Sequence, residues 1–356
     1  MRFAFIGLGR AARRYHVPAL KRIDDTLVVG GYDEAAPQRE AWRQETGTPA
    51  FESLDELLER TAPDVVVVAT PPSSHADLCL RGLGAGAHVI VEKPFVMTAS
   101  EADRVLAAAD AAGRSVAVNH QYREKPIFSA LRDAIRAERY GRLAFCQVWQ
   151  LMNQAPWDEP TPWRSGMAQR TLLEGGVHLV DLMTMFFGEL PAGVTAHHSA
   201  GFHADRDADA VQVVSLEFSG GRLGQITIDR LCKGGTRYLE TRADCERGSL
   251  RASLGGRALL QVGLKRAERP GARVEFGLGG TAWAEVGPRR TVLARNGKDQ
   301  DVDATAALLA RIIDAFRSGA EPPSSGREAR NVIAVIDAAY DSAAAGARVS
   351  LSGRVL

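Results

Sequence analysis

Short apolar strands alternate with helices over the first 120 residues, and this alternation restricts the possible folds more than any other feature. The predicted strands lie at 3–6, 27–32, 64–69, 88–91 and 115–118. The run DVVVVA at 64–69 carries no polar face, as expected where helices cover both sides of a parallel sheet. The first part of the chain is therefore predicted to be α/β, with a doubly wound parallel sheet.

Beyond residue 140 the pattern changes, because strand-like segments follow one another without long helices between them. Residues 211–218 and 223–229 flank Ser-Gly-Gly-Arg, which predicts a hairpin. Other strand-like pieces lie at 143–152, 237–241 and 249–253. An antiparallel sheet is therefore expected here. The apolar residues of the hairpin should leave a patch on its open face larger than monomers usually expose.

Two helices, at about 304–317 and 327–345, are predicted to close the chain. A chain of 356 residues is long for one core, so two domains are expected. We predict a nucleotide-binding domain at 1–120 and an α+β domain for substrate binding and oligomerisation at 121–356. The last helix could pack back on the first domain.

Composition argues against several classes of protein. The chain has 44 basic and 43 acidic residues, so nothing points to a nucleic-acid partner. Its four cysteines form no CxxC pair, which argues against a disulfide scaffold and against a metal site. Its longest aliphatic runs are far too short to span a bilayer, and the chain opens directly on a strand. We therefore expect a cytoplasmic protein without a membrane partner.

The turn Gly7-Leu8-Gly9-Arg10-Ala11-Ala12 follows the first strand and leads into a helix, as a dinucleotide fingerprint requires. Gly7 permits a tight turn, and Gly9 lets a pyrophosphate approach the backbone. Ala12 replaces the third glycine at the close contact between helix and strand. Free N–H groups of the helix would then bind the phosphates. A plain glycine-rich turn is the alternative, which the position in an α/β pattern disfavours.

Asp33 follows the second strand at the spacing of the acid that receives the adenosine ribose hydroxyls. A carboxylate there repels a 2′-phosphate, so NAD is predicted over NADP. The nearby Arg39 could soften this discrimination, and an ordinary solvated acid is the alternative.

Two loops follow later strands of the predicted parallel sheet, and ligands bind at such carboxyl ends. The first holds Thr70, Pro71, Pro72 and His75, where a capping or packing histidine is an equal alternative. The second is Glu92-Lys93-Pro94, which is either a surface pair or a catalytic pair. The Lys93 ammonium could stabilise charge on a reacting oxygen. We predict a cis Lys93–Pro94 bond, since Lys93 must enter the site directly from a strand end.

Glu174 and His178 lie four positions apart, so both face one side if the segment is helical. His178 suits general acid–base chemistry near neutral pH, and Glu174 could orient its imidazole. Taken alone, the pair is better explained as a helix-stabilising contact with a core histidine.

Together these segments resemble the Gfo/Idh/MocA family of glucose–fructose oxidoreductases and inositol dehydrogenases. The resemblance covers nearly the whole chain. It rests on FIGLGRAARRYHVPAL (5–20), ATPPSSH (69–75), VIVEKP (89–94), LLEGGVHLVDL (172–182) and IDAAYDSAAAGARVSL (336–351). It implies a Rossmann domain followed by a domain with a large, open, mostly antiparallel sheet.

The resemblance also implies roles for particular residues. Lys93 would contact the reacting oxygen, His178 would be the acid–base group, and Glu174 stands where many members have Asp. Asn119 would lie near the nicotinamide, and Trp163 and Arg164 near the substrate. Gln121 stands where Arg is common, and Arg123 is the expected substitute.

The predicted function is NAD(H)-dependent hydride transfer to or from a carbinol or carbonyl carbon of a sugar, cyclitol or related polyol. The predicted catalytic residues are Lys93, His178 and Glu174, and a homodimer or homotetramer through the second sheet is expected. One alternative is a non-catalytic dinucleotide-sensing or scaffold protein. Another is an enzyme whose tightly bound NAD recycles hydride within one site.

Overall fold

The computed structural model describes residues 1–153, 162–165, 167, 169–202, 209–233, 238–254, 257–263, 271–277 and 280–356. Its first sheet consists of β1 (Arg2–Ile6), β2 (Leu27–Tyr32), β3 (Ala50–Phe51), β4 (Val65–Val68), β5 (His88–Val91) and β6 (Val116–Val118). The six strands are parallel and have the order β3-β2-β1-β4-β5-β6. The predicted doubly wound sheet is confirmed, and its order reverses between β1 and β4, where such folds bind ligands.

Helices cover both faces of this sheet. They are α1 (Val17–Leu20), α2 (Ala36–Thr46), α3 (Leu54–Thr61), α4 (His75–Gly84) and α5 (Ala99–Ala112). Thr98 begins α5 by accepting a hydrogen bond from the Glu101 backbone N–H, and Gly113 ends it in the left-handed conformation. A π-helical turn, Ala12–His16, joins the glycine-rich turn to α1.

The second sheet has nine strands in the order β16-β15-β12-β11-β7-β10-β9-β8-β17. Its strands are β7 (Leu143–Leu151), β8 (Gly193–Ser199), β9 (Val211–Glu217), β10 (Leu223–Asp229), β11 (Tyr238–Cys245), β12 (Gly248–Leu254), β15 (Thr281–Val286), β16 (Arg289–Arg295) and β17 (Val349–Ser350). β13 (Arg257–Gly263) and β14 (Gly271–Gly277) form a separate hairpin. Neighbours are antiparallel except β7 and β10, so the predicted mostly antiparallel sheet and the β9–β10 hairpin are confirmed.

Five further helices lie beyond residue 120 in the part of the chain that the structure describes. They are α6 (Pro126–Arg136), α7 (Pro162–Ser165), α8 (Val177–Phe187), α9 (Gln300–Ser318) and α10 (Gly326–Ala345). A second π-helical turn, Thr171–Gly176, precedes α8. Within the described ranges, no helix has the length and apolar character needed to cross a membrane.

Both closing helices contribute to the core of the first sheet, and α10 also packs on the second sheet. The apolar face of α9 joins the same buried cluster as Phe3, Phe5 and Val67 of the first sheet. α10 contributes Ile333 to another core cluster of the first sheet and Val335 to the core of the second. The covering of the first sheet therefore includes residues far beyond 120, and the division at that position stays a prediction.

The two faces of the second sheet differ in polarity. Val214, Leu216, Ile226 and Ile228 point into the core beneath the helices. The alternate positions on β9 and β10 are mostly polar, and of their large apolar side chains only Leu223 is strongly exposed. The open face is therefore less apolar than expected, because the alternation places the aliphatic residues inward.

Candidate active site

The glycine-rich turn leaves space for a ligand next to the backbone. Gly7 has a φ of +90°, and a Cβ there would lie 2.8 Å from the backbone carbonyl carbon and oxygen of Ala69. At Gly9 a Cβ would meet nothing within 4 Å. Arg10 and Ala11 begin the helical segment, and Ala12 is buried at the start of the π-helical turn. This geometry fits a pyrophosphate that approaches at Gly9.

Asp33, after β2, is joined to this turn. One carboxylate oxygen accepts a hydrogen bond from the Leu8 N–H at 2.8 Å, and the other accepts from the Ala35 N–H at 2.9 Å. Arg39 donates to the carbonyls of Asp33 and Glu34 at 3.0 and 2.9 Å, and it also pairs with Glu52. Asp33 thus fixes the turn and stands at the edge where the adenosine ribose would lie.

His75 connects the loop after β4 with the loop after β5. One ring nitrogen lies 2.9 Å from the Pro94 carbonyl oxygen, and the other lies 2.9 Å from that of Thr70. Burial lowers the pKa of His75, although these carbonyls act in the opposite direction. The hydroxyl of Thr70 also bonds that of Ser74, while Pro71 is exposed and Pro72 buried. The contacts of His75 are those of a structural clamp, and the predicted cis Lys93–Pro94 bond is confirmed.

Glu92 is the centre of a buried hydrogen-bond network. One carboxylate oxygen lies 2.7 Å from His16 Nε2 and accepts a hydrogen bond from the Asn119 side chain at 2.8 Å. Burial by itself raises the pKa of Glu92, but the bonds to His16 and Asn119 and the charge of Lys93 lower it to about 2. The ends of β5 and β6 and the start of α1 are thereby joined. His16 was not predicted, since a histidine inside a helix carries no signal of its own.

Lys93 contacts Glu174, in the π-helical turn that precedes α8. Its Nζ donates to the carbonyl oxygen of Glu174 at 2.9 Å and lies 3.1 Å from the Glu174 carboxylate oxygen Oε1. The same oxygen lies 3.2 Å from Arg164, whose guanidinium is 4.9 Å from the centre of the Trp163 ring. Four predicted residues, two from α7, therefore meet at the carboxyl end of the first sheet.

His178 is buried at the start of α8, against two residues that the sequence did not single out. Its ring stacks on Tyr122 with a centroid separation of 4.1 Å and an interplanar angle of 8°. His120 approaches edge-on, with its centroid 6.0 Å away. Glu174 lies in the π-helical turn, so a regular i,i+4 geometry does not describe the pair, and an orienting contact between Glu174 and His178 stays a prediction.

Asp181, one turn after His178, holds the loop after β6. His120 Nδ1 lies 3.0 Å from the Asp181 carboxylate, and Arg123 donates to its two oxygens at 3.0 and 2.8 Å. Burial raises the pKa of Asp181, but Arg123 and His120 outweigh it and lower the pKa. Arg123 also pairs with Glu328. These contacts occupy the guanidinium in an ion-pair network, so substrate binding by Arg123 stays a prediction. The i+3 spacing of Asp181 from His178 was the available signal for this residue.

The glycine-rich turn and the acid after β2 are typical of dinucleotide-binding proteins. A lysine paired with a carboxylate at the carboxyl end of the same sheet adds the polar groups expected of an oxidoreductase. Residues 1–120 match the family model described as "Oxidoreductase family, NAD-binding Rossmann fold". Residues 128–251 match the GFO/IDH/MocA C-terminal domain. The chain belongs to the GFO/IDH/MocA oxidoreductase family.

Several known proteins are similar to this chain. 1,5-Anhydro-D-fructose reductase of Ensifer adhaerens is 30% identical over 63% of this chain and 68% of its own length. Scyllo-inositol 2-dehydrogenase (NADP(+)) of Bacillus subtilis is 25% identical over 96% of this chain and 93% of its own length. An oxidoreductase from Agrobacterium radiobacter, solved with NAD+, L-tartaric acid and magnesium, has a TM-score of 0.84 at 17% identity. That match covers 100% of this chain and 99% of the other, and it shows the shared fold.

Proposed function

We propose that this protein transfers hydride between the nicotinamide C4 of NAD(H) and a carbinol or carbonyl carbon of a sugar, cyclitol or related polyol. The observation that carries this proposal is the contact between Lys93 and Glu174 at the carboxyl end of the first sheet, with His178 four residues further along the same segment. The names of the relatives agree with it, because one reduces an anhydro sugar and another oxidises an inositol.

Lys93 and His178 have different roles at the reacting oxygen. The Lys93 ammonium donates a hydrogen bond to that oxygen and stabilises the negative charge that develops on it. His178 removes the hydroxyl proton during oxidation and returns it during reduction. NAD, when bound, supplies the hydride acceptor. Glu174 holds Lys93 in place and, as proposed from the sequence, orients His178.

Asp33 supports NAD rather than NADP as the cofactor. Its carboxylate would repel a 2′-phosphate, and Arg39 is held by backbone carbonyls and by Glu52. The relatives differ, since one is named for NADP(+) and the Agrobacterium structure contains NAD+. Measuring kcat/KM with each cofactor tests the proposal, and wild type should prefer NAD while Asp33→Ser narrows the preference. A wild type that prefers NADP contradicts this assignment.

Turnover of a panel of sugars, cyclitols and polyols with NAD(H) tests the central proposal. Lys93→Ala and His178→Ala should each lower kcat by about a hundred- to ten-thousand-fold. NAD affinity should stay near wild type, with a small change allowed in Lys93→Ala. The double variant should lose less than the product of the two single losses, because both groups act on one oxygen and its proton.

Two other results, one from the panel and one from gel filtration, would favour the two alternative functions. NAD binding with no turnover of any compound favours a dinucleotide-sensing or scaffold protein. Cofactor that stays bound through gel filtration favours hydride recycling within one active site. Near-normal turnover in His178→Ala removes this residue from the acid–base role.

We also propose that the open face of the second sheet joins two copies of this chain in a homodimer or in a tetramer built from dimers. The face combines the half-buried rings of Phe145 and Trp149 with polar side chains such as Gln147 and Gln225, whose amides bond each other at 2.8 Å. Such a mixture is typical of protein interfaces.

A further inference from the structure

We propose that Gln150 recognises a second hydroxyl of the substrate, close to the carbon that reacts, and so helps to determine specificity. This inference rests on the proposed function. It assigns one further contact of the same site to a side chain that neither the sequence patterns nor the catalytic arrangement singled out.

Gln150 lies near the end of β7, in the wall of a small cleft beside Glu174. The other residues of this cleft are Met152, Arg170, Thr171, Glu174, Gly175, Ile228 and Arg230. Because Glu174 also contacts Lys93, the cleft begins one side chain away from the ammonium that would bind the reacting oxygen. The cleft has room for about one water-sized group, so a hydroxyl next to the reacting carbon would fill it.

The amide of Gln150 is only partly satisfied. Gln150 is 2% exposed, and its Nε2 donates only a weak bond, at 3.2 Å, to the sulfur of Met152. Among the described residues, its Oε1 has no hydrogen-bond partner. Buried polar atoms in folded proteins nearly always have a partner, and each exception calls for an explanation. A substrate hydroxyl in the cleft would supply the missing partner.

The lining of the cleft carries charges of both signs, from the Glu174 carboxylate and from the guanidiniums of Arg170 and Arg230. Such a lining favours a polar group of the substrate over an apolar one. An uncharged amide bonds a hydroxyl in either orientation, since it offers both a donor and an acceptor. A hydroxyl of a polyol satisfies these conditions, and a methylene group in its place would leave the amide unpaired.

Gln212 provides a matched control. It lies on the same inner face, in the same row across the sheet, because Ile228 pairs with both Gln150 and Gln212. It is 0% exposed, and neither polar atom of its amide has a partner among the described residues. However, Gln212 does not line the cleft. A purely structural explanation of buried amides in this layer predicts the same behaviour for both residues.

The experiment compares wild type with Gln150→Met and Gln212→Met, both near-isosteric, and adds Gln150→Leu as a second variant. The probes are the polyol of highest turnover in the panel and the set of its monodeoxy analogues. For each enzyme, kcat/KM is measured for every probe at saturating NAD, and circular dichroism and a thermal melt establish that each variant is folded.

Wild type should discriminate against one deoxy analogue by about ten- to a hundred-fold in kcat/KM, since losing that hydroxyl leaves a buried amide unpaired. Gln150→Met should lose this discrimination through a lower kcat/KM for the full polyol, with little change for that analogue. Gln212→Met should keep it.

Three results would overturn the inference. They are discrimination that persists in Gln150→Met and Gln150→Leu, an equal loss in Gln212→Met, and a wild type that accepts every deoxy analogue equally. In each case turnover of the polyol itself would leave the proposed function intact. Absence of turnover with every compound of the panel would instead refute the proposed function, and this inference with it.

Discussion

At the scale of single residues, Tyr122 limits how the proposed acid–base group can turn. Its ring stacks on the His178 imidazole and also packs against Phe128, whose ring centroid lies 5.8 Å away. The ammonium of Lys125 lies 5.2 Å from the same ring. A flat imidazole against a fixed flat ring keeps its plane, so rotation about the last bond of His178 is restricted.

Replacing Tyr122 should therefore affect catalysis although Tyr122 does not act on the substrate. Tyr122→Phe keeps the flat ring and should retain most of kcat. Tyr122→Leu should lower kcat by about ten-fold or more, because small errors in the position of a catalytic group are costly. KM should change little. Steady-state kinetics across a range of pH, with NAD affinity as the control, measures this. Equal kcat values for the two variants would contradict a positioning role.

Some site residues could be predicted from the sequence because local patterns and a family resemblance together mark them. Lys93 follows a strand end, and Glu174 lies in the segment that also contains His178, but the local pattern left both open, and the resemblance to the Gfo/Idh/MocA family made them candidates. Tyr122, His120 and Gln150 could not be predicted in the same way. Their importance comes from tertiary contacts with α8 and β10, and a single sequence contains no signal for such contacts.

At the scale of elements, the Glu92 network holds three segments of the first sheet together. It joins the π-helical turn before α1 to the loops after β5 and β6. A folded-state pKa of about 2 lies below the ordinary value of 4.5, so the ionised carboxylate stabilises the folded protein above about pH 4.5. This stabilisation is lost as the pH falls from about 4.5 towards 2.

Glu92→Gln should therefore be less stable than wild type near neutral pH, and the difference should shrink across that acidic range. Urea denaturation of both proteins between neutral and acidic pH measures it. Glu246→Gln is the control, because Glu246 also has a lowered pKa, from Arg142, but lies at the surface where solvent screens the pair. A difference between wild type and Glu92→Gln that does not depend on pH would exclude this account.

The strands and helices themselves followed largely from periodicity. The last helix, predicted at about 327–345, lies at Gly326–Ala345, because its start and stop signals are both local. By contrast, β8 and the strands beyond β12 were not predicted. Short strands with mixed polarity give little periodic signal, and their pairing depends on distant partners.

At the scale of the whole molecule, the chain returns to its first sheet after β16, before its last strand, β17, completes the second sheet. Ile312 of α9 is 0% exposed and belongs to the core cluster that contains Phe3 and Phe5. Ile312→Ala should lower the free energy of unfolding by about 2–5 kcal/mol, as deletions of large buried aliphatic groups do. Asp314→Ala, at an exposed position of the same helix, should change it by less than about 0.5 kcal/mol.

Denaturant unfolding of both variants separates the two explanations of α9. Trp42 lies in the same core cluster as Ile312, so its fluorescence reports the unfolding of the first sheet. If α9 belongs only to the second domain, Ile312→Ala should leave the midpoint of that fluorescence change as in wild type. If α9 completes the first sheet, that signal should shift with the variant. The second result is expected, because the contacts of Ile312 lie in the core of the first sheet.

The open face of the second sheet leads to the last prediction, which concerns assembly. Gln225 lies on β10 in the row that also contains Gln147 and Ser215, near the middle of the nine strands. In a two-fold interface each side chain near the axis faces its own copy, so a new charge there is placed against a like charge. Gln225→Arg should therefore convert the proposed dimer, or tetramer, into smaller species without loss of folding. Glu59→Arg, exposed on α3, should leave assembly unchanged. Sedimentation equilibrium at micromolar concentration measures both variants against wild type. A monomeric wild type would refute the assembly outright, whereas a Gln225→Arg protein that assembles normally would place the interface on another surface.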